Sequence, residues 1–215
     1  MAVIALKGGS GKTTIATHLA LAAHRRGVDT MVVDIDPQQS ALSVLSSREA
    51  PGPPVVASTG AKLMSSQFAA VGLKKNLLIV DTPAGVVEDV TEAIVLADFA
   101  VMVVRPTLLD LAGLARTLMI VNRLGKAATV IVNQAPVARE GIEPPMVKRA
   151  LRGLEYMKAP VAPVIIRSRT VYQTALETGR SAEEMADVAA AREIANLWRH
   201  IEASLAAIGQ DQAAE

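Results

Sequence analysis

Residues 7–14 read Lys-Gly-Gly-Ser-Gly-Lys-Thr-Thr, and their types and spacing suit the binding of a polyphosphate. Glycines at 8, 9 and 11 let the backbone bend so that N–H groups point inward at anionic oxygens, and a helix N-terminus behind them adds positive charge. Lys12 supplies an ammonium for the β- and γ-phosphates, and the Thr13 hydroxyl is a hard oxygen ligand suited to Mg²⁺. The strict pattern G-x-x-x-x-G-K-[ST] asks for glycine at position 6, where this chain has Leu6. That position lies in the apolar stretch before the loop, so the cradle of Gly8, Gly9, Ser10, Gly11, Lys12, Thr13 and Thr14 is intact. Lys7 is the unusual member, because a phosphate loop needs no such lysine for its own nucleotide. Two later apolar runs end in carboxylates, at Asp34 (with Asp36 after it) and at Asp81. Asp81 stands where a Walker B carboxylate would hold the metal through water.

Loop and carboxylates can converge only if these runs are parallel strands with the ligand beyond their carboxyl ends. The pattern supports that arrangement. Short Val/Ile/Leu runs bounded by turn residues alternate with helical stretches at about 11–26, 38–45, 89–96, 108–123, 145–157 and 186–208. Strands follow in "FAVMVVRP" and "ATVIVNQAP", with a last one expected in "APVAPVIIRS", while "SSREAPGPPVV" reads as a surface loop. Continuous apolar strands of this kind are buried on both faces. The expected fold is therefore α/β: one domain over residues 1–215, a mostly parallel twisted sheet flanked by helices on both faces. A flexible tail is expected at about 209–215.

Composition narrows the function. The 215 residues are 51% hydrophobic and only 20% charged, which excludes a disordered chain, and the mean hydropathy is +0.33. Aromatic residues make up 2%, so base stacking on exposed rings is not expected. With no cysteine there is no disulfide, thiolate metal site or cysteine-ligated cluster. His18, His24 and His200 have no metal-ligand spacing, and His18 and His24 read as packing or surface residues of a helix. The net charge of +1 confines any nucleic-acid affinity to a local patch. No secretory leader or membrane-spanning run is visible, and a cytoplasmic protein is expected.

The chain resembles the ParA/MinD superfamily of deviant Walker A ATPases. The resemblance rests on "KGGSGKTT" with its extra lysine, "VVDIDPQQS", "LLIVDTPAG", "VVRPTLLDLAGLARTL", "VIVNQ" and "RTVYQTALETGRSAEE", in that order along nearly the whole chain. It is most similar to short, type Ib plasmid-partition ParA proteins. With six residues before Lys7, an N-terminal helix-turn-helix domain is not expected. The resemblance implies ATP and Mg²⁺ as cofactors, with ATP hydrolysed to ADP and phosphate. Lys7 would reach across a nucleotide-sandwich homodimer to the partner's phosphates. Asp36 would orient or activate the attacking water, Asp34 and Asp81 would support the hydrated metal, and Asn133 would read the adenine edge. The family's Gly-Asn after Asp-Pro-Gln is replaced here by Gln39-Ser40.

The resemblance also implies nonspecific DNA binding by the ATP dimer, hence nucleoid association, and hydrolysis stimulated by a ParB-like partner. Assembly into a higher polymer is left open. Candidate phosphate contacts are Lys148, Arg149 and Arg152 on one predicted helix, with Arg167 and Arg169 after the last run, although an ordinary solvated face fits the same spacing. A MinD-like membrane anchor is not expected, since the tail "HIEASLAAIGQDQAAE" is polar and acidic. The alternative is a metabolic ATP-dependent enzyme on the same fold, such as a dethiobiotin-synthetase-like ligase. Lys7 and the Asp-Pro-Gln segment favour the switch.

Overall fold

The apolar runs form β1 (Ala2–Ile4), β2 (Thr30–Asp34), β3 (Val55–Ala57), β4 (Leu77–Asp81), β5 (Phe99–Val104) and β6 (Ala127–Val132). The computed structural model describes the backbone of residues 1–214 and the side chains of residues 1–210. Its strands make one sheet, β3-β2-β4-β1-β5-β6, in which every pairing is parallel. The helices are α1 (Lys12–Arg25), α2 (Ser40–Ser46), α3 (Leu63–Gly72), α4 (Val87–Leu96), α5 (Leu108–Arg123), α6 (Pro145–Tyr156), α7 (Val171–Leu176) and α8 (Val188–Ala214). The expected flexible tail, about 209–215, falls for the most part outside the residues whose side chains are described.

Side-chain alternation along the strands builds two cores, one on each face of the sheet. Val3, Val32, Ile79, Val101 and Ile131 face α1 and α8, where Ile15, Leu19, Leu197 and Trp198 are buried. Ile4, Val33, Val80, Met102 and Val132 face the opposite side, against Leu63, Ile94, Leu118 and Leu154. His18 lies fully buried in the first core, its ring 5.3 Å from that of Tyr172. Burial pushes His18 down to about 4, so it packs as a neutral ring. His200 instead shares a 3.0 Å hydrogen bond with Thr129.

Two expectations need correction. The stretch "SSREAPGPPVV" is not entirely loop, because its end begins β3, an edge strand pairing with β2. Its burial is slight, so the core signal that marks the other strands is missing. The segment "APVAPVIIRS" forms no regular strand. It runs beside β6 and touches it at isolated bridges, Val130 with Val161 and Ala135 with Arg167. Pro160 and Pro163 each remove a donor that a continuous ladder would need. The sequence also held two helices that its pattern did not announce: α3 leaves Met64, Phe68 and Val71 exposed, which blurs its apolar face, and α7 is only six residues long.

Candidate nucleotide site

The loop joins β1 at the sheet's centre to α1, and its conformation explains its glycines. Gly9 has φ 75° and Gly11 has φ 90°, both in the left-handed region that L side chains avoid. Gly11 is doubly constrained, because a Cβ there would overlap the side-chain amide of Asn133. That amide donates from Nδ2 to the Ser10 carbonyl at 2.7 Å, and Gln134 Nε2 donates to the Gly9 carbonyl at 3.1 Å. The end of β6 thus holds the loop in its curled form. Asn133 is nearly buried. Beside it, Thr14, Ser168, Tyr172 and Gln173 help to line a cleft of about 130 Å³ on the α1 side of the loop.

Asp34 and Asp81 sit opposite each other in the β2–β4 register, so the two carboxylates are neighbours at adjacent strand ends. Their environments differ. Asp34 is fully buried, and its oxygens accept from the Asp36 and Leu42 backbone N–H groups, each at 3.0 Å. Burial raises its pKa, and those backbone donors counter the effect. Asp34 therefore fixes the loop that carries Asp36. Asp36, half-exposed, accepts from the Gln38 N–H at 2.9 Å and leaves its second oxygen available. Gln39 then enters α2 with φ 52°, a position that would favour glycine.

Asp81 is fully buried and neither of its oxygens receives a hydrogen bond of normal geometry. Burial pushes its carboxyl up to about 7; the Thr13 hydroxyl opposes this, Asp34 reinforces it, and the Lys12 ammonium opposes it. Lys12 is itself buried to 6% exposure, and desolvation lowers its pKa against the pull of Asp81 and Asp36. The Ser10 hydroxyl is also buried and unpartnered. Unpartnered polar groups in and beside a curled loop suit a bound anion with a hydrated cation. No group of three or more His, Cys, Asp or Glu among the described residues is arranged to hold an ion. A magnesium here would lean on Thr13 and phosphate oxygens, with Asp81 reached through water.

Lys7 stands apart from this cradle. Its Nζ donates to Asp110 Oδ2 at 3.1 Å, and its Cβ lies against α5 at Gly113. Asp110, 3% exposed, also accepts from Arg105 Nε at 3.0 Å and from the Thr107 hydroxyl, and Thr107 caps α5 by accepting the Asp110 N–H. Burial acts to raise the Asp110 pKa, but these donors outweigh it and hold the carboxyl below its ordinary value. Sequence reasoning missed Arg105, Asp110 and Gln134. The Thr107-x-x-Asp110 spacing was the available signal, since it is a helix-start pattern.

The candidate DNA residues differ in how they are engaged. Lys148, Arg149 and Arg152 are exposed on α6, and none makes a salt bridge among the described residues. Arg167 instead pairs with Glu143 and with the Pro136 carbonyl, and Arg169 pairs with Glu193. These two arginines sit beside the small cleft near Asn133.

The chain is 28% identical over 190 residues to maintenance of carboxysome distribution protein A of Halothiobacillus neapolitanus, covering 84% of this chain and 85% of that protein. Its fold superposes on the cell division ATPase MinD of Pyrococcus furiosus with a TM-score of 0.76 at 18% identity, covering 94% and 97% of the two chains. It superposes also on the ATP complex of a Cyanothece McdA variant, with a TM-score of 0.75 at 16% identity and 95% of each chain covered. No helix among the described residues is long and apolar enough to cross a membrane. Residues 1–181, which carry the loop, both strand-end carboxylates and Asn133, match the CobQ/CobB/MinD/ParA nucleotide binding domain, and the chain belongs to that family.

Proposed function

We propose that this protein is a ParA-type positioning ATPase. Mg-ATP closes two copies into a nucleotide sandwich, the closed dimer binds DNA without sequence preference, and hydrolysis stimulated by a ParB-like adaptor reopens it. One observation carries the reading: Lys7 is a cation at the mouth of the loop, tethered outside its own phosphate cradle. Phosphoryl transfer is accelerated by positioned cations, and one can be supplied in trans. In the roles proposed here, Lys12 and the loop N–H groups bind phosphate, Thr13 meets the metal, and Asp81 holds its water shell. Asp36, whose second oxygen is uncommitted, orients the attacking water. Asn133 holds the loop and presents its remaining amide capacity to the base. The named relative suggests a protein body as cargo as readily as a plasmid or chromosome.

Lys7→Ala tests this directly. The variant should retain ATP binding by equilibrium dialysis yet lose ATP-dependent dimerisation by light scattering, together with turnover. Full turnover by a monomeric Lys7→Ala protein sinks the reading. ATP hydrolysis measured alone, with DNA, and with DNA plus the candidate adaptor separates the switch from a ligase, whose rate would respond only to a small acceptor.

A further inference from the structure

Asp110 is a nearly buried carboxylate that serves two cations at once. Lys7 Nζ and the Thr107 hydroxyl meet Oδ2, while Arg105 Nε meets Oδ1 at 3.0 Å and Arg105 Nη2 reaches Oδ2 at 3.4 Å. A buried carboxylate stripped of its only counter-ion is strongly unfavourable. If Lys7 is to leave for another copy's phosphates, something must keep Asp110 neutralised. Thr107 and the first turn of α5 contribute only partial charges. Arg105 is the one full charge that remains among the described residues, and its planar fork already engages both oxygens.

We propose that Arg105 is a positioning residue that acts through Asp110, standing as the permanent counter-ion so that Lys7 can be released to a partner copy. The inference deepens the sandwich reading and rests on it. Lys7 is the exchangeable ligand of the pair because a single hydrogen bond holds it, whereas Arg105 makes two to the same carboxylate. Arg105 is anchored at the end of β5, its Nη1 standing 3.6 Å from where a Cβ on Gly9 would lie. That placement admits a rival role, direct contact with phosphate at the loop tip. The test therefore separates the two.

Arg105→Gln should leave Asp110 with Lys7 alone and so lock Lys7 in cis. The protein concentration for half-dimerisation in saturating ATP should rise on the order of tenfold. In Arg105→Gln/Asp110→Asn the carboxylate is gone, Lys7 is free, and dimerisation should return to near the wild-type concentration. Amine labelling of nucleotide-free protein, read by mass spectrometry, should rank Lys7 reactivity as Asp110→Asn above wild type above Arg105→Gln. Thermal melts check that each variant is folded. Impaired dimerisation without recovery in the double variant overturns the inference in favour of direct phosphate contact. Unchanged Lys7 labelling in Arg105→Gln overturns it also. A wild type that never dimerises with ATP while the labelling order holds defeats the sandwich reading and leaves the counter-ion exchange standing.

Discussion

Replacing Asp81 by asparagine should stabilise the nucleotide-free protein, and only above mildly acidic pH. Its carboxyl is pushed from an ordinary 3.8 to about 7 by burial, which the Thr13 hydroxyl and the Lys12 ammonium only partly oppose. Below pH 4 the group is protonated in both folded and unfolded chains and contributes nothing. Between pH 4 and 7 the folded state holds a proton that the unfolded state releases, so stability falls with each step up in pH. Above pH 7 the loss is complete. At 1.36 kcal/mol per pH unit the span amounts to roughly 4 kcal/mol, an upper limit. Lys12 loses a neutralising neighbour in the variant, so a net gain of about 1–3 kcal/mol is expected at pH 8. Denaturant unfolding of both proteins at pH 4.5 and pH 8, without nucleotide or magnesium, measures it. The same variant should bind Mg-ATP less well, since the metal's water shell loses its carboxylate. A gain of equal size at both pH values, or no gain at pH 8, would refute the placement of an unpaired Asp81 carboxyl.

The loop geometry makes a sharper demand at Gly11. Gly11→Ala should lose nucleotide binding and about 1–3 kcal/mol of stability, because its φ of 90° is strained for alanine and its Cβ would displace Asn133; calorimetric titration with ATP and a melt check both. Gln39→Gly should act in the opposite direction, adding about 0.5–1 kcal/mol in unfolding experiments by relieving the φ of 52° at the start of α2. For the DNA surface, Lys148→Glu, Arg149→Glu and Arg152→Glu together should abolish ATP-dependent binding to mixed-sequence duplex in an anisotropy assay, and binding by the wild type should fall steeply with salt. Undiminished binding by that triple variant moves the surface elsewhere on the molecule. Arg167→Ala should instead lower stability, because Glu143 loses its partner.

What the amino-acid sequence determined was everything that depends on neighbours along the chain. Glycines with Lys12 and Thr13 make the cradle within eight residues. The apolar runs before Asp34 and Asp81 declare buried strands whose ends must lie together, and the order of motifs identifies the family. Where local signals were weak, the reading slipped. β3 is too short and exposed to show a core pattern, and prolines 160 and 163 break the ladder beside β6 in a segment that looks apolar enough to be a strand. Tertiary structure alone decided the rest, because it concerns partners far apart in the chain. Lys7 meets Asp110 across 103 residues, and Asn133 grips the Ser10 carbonyl across 123. Arg167 and Arg169, which read as a basic pair, are taken up by Glu143 and Glu193. A charge or an amide has no preferred partner until folding brings one within about 3 Å and removes the competing water. The types of chemistry were therefore written in the order of residues, and the assignment of each charge to its partner was made by the sheet and the helices packed on it.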